Sequence, residues 1–181
     1  MYATNDNLQA IESHNRATDA LLTLMKKYPY KDITIIQVCQ EAQIVRQTYY
    51  RNFNSKDDIL KYYLDNMVRQ YFTDYYTAED VQAQLQTFFS YMLQHREFLL
   101  LTSENGLFFM IDEAISVNIT KFLNFYQLST IEDPKFEKYV TGFIASTICS
   151  LLSLWVDNGF TESPEVLSQL AQRFLGGLSL V

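Results

Sequence analysis

The side chains best suited to recognition in this chain are clustered: Arg46, Gln47 and Thr48 are consecutive, and Tyr50 and Lys56 follow closely. A guanidinium can bridge two acceptors on the edge of guanine, and an amide can do the same on adenine. A phenol and an ammonium suit phosphate oxygens instead. Groups for covalent chemistry are sparse by comparison. His14 and His95, the only two histidines, lie outside any HExxH or triad-like setting. The first reads as a solvent-facing helix residue and the second as a helix junction. Asp112 and Glu113 are adjacent, so on a helix they point in different directions. The remaining carboxylates are scattered without metal-ligand spacing, and no Gly-rich phosphate loop exists. Cys39 and Cys149 have no CxxC spacing and read as free, buried thiols of a reducing compartment. The pattern therefore points away from an enzyme, a metal site or a cofactor, and toward recognition of a charged polymer.

Helices must position these groups. The chain has 13 Tyr and 13 Phe, residue types that also favour strands, so helix has to come from periodicity. Residues 8–27 place Leu8, Ile11, Ala17, Leu21, Leu22, Leu24 and Met25 at spacings near three and four, and Pro29 stops that helix. Thr34 with Gln37 forms a capping box opening a short helix that ends near Ala42. A second short helix spans about 45–51. Ser55 with Asp58 opens a longer one running through Tyr71. Further helices are expected over about 79–94, 95–102, 107–128, 134–157 and 164–175, the last two delimited by Pro134, Gly159, Pro164 and Gly176.

Two short helices around the turn at 42–44 cannot bury enough apolar surface alone. They must pack on their neighbours, with Val38, Cys39, Ile44, Tyr49 and Phe53 inside. This leaves one face of the second helix exposed and sized for a major groove. The net charge of −7 argues against nucleic acid until it is divided along the chain. Residues 1–69 hold 9 Lys+Arg against 8 Asp+Glu, for +1; residues 70–181 hold 5 against 13, for −8. Contact with a phosphate backbone is thus expected from the N-terminal third alone. Residues 1–12 are polar and lack the apolar stretch of a signal peptide. The apolar runs elsewhere are broken well before 18 positions, so no membrane span is expected. A cytoplasmic protein is the simplest reading.

The stretch TIIQVCQEAQIVRQTYYRNFNSKDDIL, residues 34–60, resembles the signature of the TetR family of transcriptional repressors. Matching positions are Thr34 at the cap, Ala42 in the turn, Thr48, Tyr49 and Tyr50 in the recognition helix, Phe53 at its end and Lys56 at the next helix. The chain departs from the pattern at Gln43, where Gly is usual, and at Val45, where a small polar cap is usual. The resemblance implies an all-α fold, with a helix-turn-helix domain over 1–54 and a C-terminal helical domain over 55–181. It implies contact with double-stranded DNA, at a palindromic operator, through Thr34, Arg46, Gln47, Thr48, Tyr50 and Lys56.

LLSLWVDNGFTESPEVLSQLAQRFLGG, residues 151–177, is similar to the last two helices of one C-terminal type in that family. Such helices form a four-helix interface between two copies. Ile144, Ile148, Leu151, Leu152 and Trp155 would make one seam, and Leu167, Leu170, Phe174 and Leu175 another. From pattern alone these residues fit a protomer core equally well. The resemblance further implies a repressor released by a small hydrophobic or aromatic effector. Tyr63, Met67, Tyr71, Phe88, Met92, Phe108, Phe122, Phe125 and Trp155 could line its cavity. The competing reading is a helical adaptor of the same fold that does not bind DNA.

Overall fold

Helix boundaries fall where side chains can meet orphan backbone groups. The computed structural model describes residues 5–76, 80–123 and 134–176. Among these all regular structure is helical: α1 Asn5–Met25, α2 Ile35–Glu41, α3 Arg46–Asn52, α4 Lys56–Gln70, α5 Val81–Gln94, α6 Arg96–Glu104, α7 Phe109–Leu123, α8 Pro134–Asp157 and α9 Pro164–Gly176. The all-α expectation holds. A 3-10 turn at Tyr30–Asp32 and a π-helical turn at Tyr71–Tyr75, which prolongs α4, are additions that apolar periodicity does not reveal. Contacts divide the chain into two units, Met1–Met67 and Val68–Val181.

In the first unit α1 packs against α2 and α3. It buries Ala17, Ala20, Leu21 and Leu24 on one stripe, against a set that includes Val38, Tyr49, Phe53, Ile59 and Leu60. Both expected capping boxes form. At α4 the Ser55 hydroxyl accepts from the Asp58 amide at 3.3 Å. Asp58 Oδ2 in return accepts from the amides of Asn54 at 2.8 Å and Ser55 at 3.2 Å. These bonds, the Asn54 amide first, hold the Asp58 carboxyl below its ordinary range. A depressed folded-state value contributes stability that is present above the unfolded value and lost as pH falls through the folded one. Asp58→Ala should therefore cost about 1 kcal/mol at neutral pH. The gap to wild type should narrow below roughly pH 4, near the unfolded carboxylate value. Urea titrations at the two pH values read this directly.

In the second unit α5 packs against α9, α7 against α8, and α8 also against α6 and α9. Phe89, Leu99, Ile111, Leu152 and Trp155 are fully buried there. Trp155 is held by its indole N–H, which donates to the Glu162 carbonyl at 2.9 Å, and by ring contacts with Phe89 and Phe160 at 5.8 and 4.9 Å. Ser163 and Pro164 start α9 as expected, the Ser163 hydroxyl accepting from the Val166 amide.

Two features of α8 bear on what its apolar pattern left open. Its stretch Lys135–Asp157 is long and apolar enough to cross a membrane by length and composition alone. The polar residues that interrupt it in sequence are mainly uncharged Ser and Thr, which break an apolar run without making the helix hydrophilic. The helix instead carries two apolar faces. One face holds the residues expected as a dimer seam, Ile144, Ile148, Leu151, Leu152 and Trp155, and it is buried within this unit. The other exposes Phe136, Tyr139, Phe143 and Leu154. On α9 Leu167 is likewise internal, Leu175 is half-buried, and Val166, Leu170 and Phe174 are exposed.

Candidate nucleic-acid interface

The turn between α2 and α3 is built by the backbone. The amide of Gln43 donates to the Gln40 carbonyl at 3.2 Å, and that of Ile44 to the Cys39 carbonyl at 3.0 Å, the two bonds of a Schellman closure. This requires a left-handed residue at Gln43, whose φ is 53°. The chain closes α6 and α8 in the same way but with Gly106 and Gly159, at φ of 69° and 68°. A side chain in that region costs on the order of 1 kcal/mol. The Arg16 guanidinium offsets part of it by donating to the Gln43 carbonyl at 3.0 Å, which ties the turn to α1. Arg16 is a positioning residue that the sequence reading missed. It sits beside the buried stripe of α1, four residues before Ala20, and that register is the signal that could have found it.

α3 has an inner and an outer side. Tyr49 and Phe53 are buried with Val38 and Cys39, and Ile44 is half-buried. Arg46, Gln47, Tyr50 and Arg51 are exposed together on the opposite side, Tyr50 by 56%, and Thr48 is half-buried at the edge. The fold thus gathers three of the expected contact residues and adds Arg51, which the sequence reading passed over. No side chain caps α3: Val45 stands there, 68% exposed, and leaves the first-turn amides open. The Tyr49 hydroxyl is buried with no hydrogen-bond partner among the described residues. Burial pushes it up to about 12.

The flanking contact residues have internal work. Exposed Thr34 accepts from the Gln37 amide at 3.3 Å and donates its hydroxyl to Gln37 Oε1 at 2.8 Å. Lys56, read from the sequence as suited to phosphate, donates its Nζ to the carbonyls of Tyr30 at 2.6 Å and Ile33 at 2.5 Å. It also lies 4.4 Å from the centroid of the Tyr30 ring. Tyr30 in turn donates its hydroxyl to Asp57. A cation in the first turn of a helix is unfavourable, and the two carbonyls offset this. One of its three N–H donors has no hydrogen-bond acceptor among the described residues. His14, expected to face solvent, is half-buried: it stacks on Tyr62 at 4.5 Å and meets Phe53 edge-on at 4.8 Å. Burial lowers its pKa. His95 does mark a junction, capping the end of α5 and the start of α6.

Of the residues expected to line an effector cavity, Tyr63 is half-buried and Met67 buried, both in the first unit. In the second unit Tyr71, Phe88, Met92 and Trp155 are buried and Phe108 is half-buried. Tyr71 and Phe88 are in ring contact at 6.0 Å. The Phe122 side chain and Phe125 lie outside the described residues.

No family model matches the chain, and no curated protein matches it. Solved structures do. A TetR transcriptional regulator from Streptococcus agalactiae 2603V superposes with a TM-score of 0.67 at 16% identity, covering 94% of this chain and 97% of that one. The dihydroxyacetone kinase operon activator DhaS superposes with a TM-score of 0.64 at 18% identity, covering 91% of this chain and 94% of that one. The chain therefore has a TetR-like architecture, with a helix-turn-helix-like arrangement of its N-terminal helices and a C-terminal helical bundle.

Proposed function

We propose that this protein is a DNA-binding transcriptional regulator of the TetR type, a repressor that binds a palindromic operator as a homodimer and is released by a small effector. The observation that carries the reading is α3, seven residues long, buried through Tyr49 and Phe53 and offering Arg46, Gln47, Tyr50 and Arg51 on its open side. Arg46 and Gln47 lie at its N-terminal end, where a groove-bound helix meets base edges. Tyr50, Thr34, Thr48 and the spare N–H of Lys56 suit phosphates, as does Arg51 at the far end. The +1 balance of residues 1–69 supports contact there, and the −8 balance of residues 70–181 keeps the rest of the molecule off the duplex.

Dimerisation is supported by the exposed apolar residues of α8 and α9, a surface that a soluble protomer rarely leaves open. For the effector, the resemblance and the aromatic content of the second unit supply the support. An apolar chamber would have to open within the packed set around Tyr71 and Phe88.

Arg46→Ala should weaken operator binding by roughly ten- to a hundredfold, about 1–3 kcal/mol, and relax discrimination at one base pair. Arg51→Ala should weaken all sequences by a similar factor and lower the salt slope by about one. Fluorescence anisotropy on matched and mismatched duplexes at several salt concentrations separates the two. Identical behaviour would remove the division of labour, and unchanged affinity in both would remove α3 from the interface.

A further inference from the structure

α7 and α8 form an open cleft of about 510 Å³ lined by Asp112, Ser116, Ser146, Cys149, Ser150, Ser153 and Leu154. Asp112 Oδ1 is buried there and accepts no hydrogen bond from any described residue. An acidic residue in the first turn of α7 complements the helix dipole, but that benefit does not require the oxygen to be buried. The neighbouring Cys149 thiol keeps its proton, pushed up to about 12 by burial and by the Asp112 carboxylate. The thiol donates a weak S–H hydrogen bond to the Asp112 carboxylate, which still leaves Oδ1 without a partner among the described residues. A buried carboxylate oxygen without a donor is costly, so Asp112 Oδ1 can take a further donor from within the cleft.

The mouth of the cleft points to the source of that donor. Ser146 and Ser150 are exposed on the same side of α8 as Tyr139, Phe143 and Leu154, the apolar surface assigned above to the second copy. On α9 the exposed apolar residues Val166, Leu170 and Phe174 share their face with one cation, Arg173, which is exposed and has no partner among the described residues. Its place in the last turn suits its sign. It does not explain why a guanidinium stands among apolar side chains that would be covered on association, where an unpaired charge is strongly disfavoured.

We propose that in the homodimer Arg173 of each copy enters the α7–α8 cleft of the other and pairs with Asp112, with the serine hydroxyls taking up its remaining N–H donors. A guanidinium supplies five donors to a site that holds one carboxylate and four hydroxyls. Because the interface is isologous, two such pairs form per dimer and every substitution counts twice. The inference rests on the proposed dimer and adds the polar contact that would fix its register.

The test is sedimentation equilibrium of the full chain with Arg173→Gln, Asp112→Asn and both together, alongside the swap Asp112→Arg with Arg173→Asp. Each conservative single variant should weaken the dimer at least tenfold, with little further loss in the double variant. The swap should recover most of what either of its single members loses. Independent, multiplicative losses would overturn the pairing, as would a dimer indifferent to Arg173→Gln. If Leu170→Asp with Phe174→Asp gives monomers while Arg173→Gln changes nothing, the dimer stands and the pair falls. A wild-type chain that is monomeric removes both. Calorimetric binding of 1,4-diaminobutane to the wild-type chain but not to Asp112→Asn, with dimerisation unchanged in that variant, would assign the cleft to a small cation and overturn the proposal.

Discussion

A chain carrying both Leu170→Asp and Phe174→Asp should sediment as a monomer while keeping its helical circular dichroism. Both side chains are exposed in the protomer, by 38% and 52%, so charging them removes nothing from its core. In the proposed dimer they would be central apolar anchors. Burying an unpaired carboxylate at either would cost several kcal/mol. Interface anchors of this kind are worth about 2 kcal/mol or more each even when merely truncated, so the dimer constant should rise more than a thousandfold. Operator affinity should fall with it, by roughly 10²–10⁴, because the two recognition helices are no longer linked. A dimer of unchanged strength would move the interface off α9. The side chains first read as the α8 seam give the internal control: Leu152→Ala should cost about 2–5 kcal/mol of protomer stability, since Leu152 is fully buried.

Tyr49 should separate packing from recognition. It is fully buried beneath the exposed side of α3, in ring contact with Phe53 at 5.7 Å and Tyr50 at 5.3 Å. Tyr49→Ala should cost about 3–5 kcal/mol, comparable with the whole stability of a domain this small, and so unfold the first unit and abolish DNA binding. Tyr49→Phe should do the opposite. It keeps the ring and deletes a hydroxyl that has no partner among the described residues, so stability should hold or rise by about 1 kcal/mol with DNA affinity intact. Thermal melts with anisotropy on the same samples test both. A marked loss of stability in Tyr49→Phe would show that the hydroxyl is satisfied in solution. A folded Tyr49→Ala variant that still bound DNA would show that this core does not position α3.

What was legible in the sequence was mostly local. The boundaries of α2 and α4 follow from Thr34 with Gln37 and from Ser55 with Asp58, because capping chemistry acts over three residues and needs no tertiary information. The end of α8 follows from Gly159 for the same reason. The inner side of α3 was readable because Tyr49 and Phe53 are one helical turn apart. Partner assignments were not readable. The Lys56 ammonium is spent on carbonyls of residues 30 and 33, a contact set by how the segment between α1 and α2 lies against the start of α4. The two apolar faces of α8 could not be ranked by periodicity, since both repeat at helical spacing and only the packing of α6, α7 and α9 decides which is internal. Gln43 stands where glycine is usual, and a guanidinium from α1 bonds to its carbonyl, a contact distant in sequence.

In the proposed function the open side of α3 reads a base sequence. The most direct measurement is selection of bound duplexes from a random DNA pool with the purified protein, repeated with Arg46→Ala combined with Gln47→Ala. The expected result is a two-fold symmetric motif with half-sites about one helical turn, roughly 10 base pairs, apart, and loss or relaxation of its outer positions in the double variant. No enriched motif, or the same motif recovered by both proteins, would contradict it.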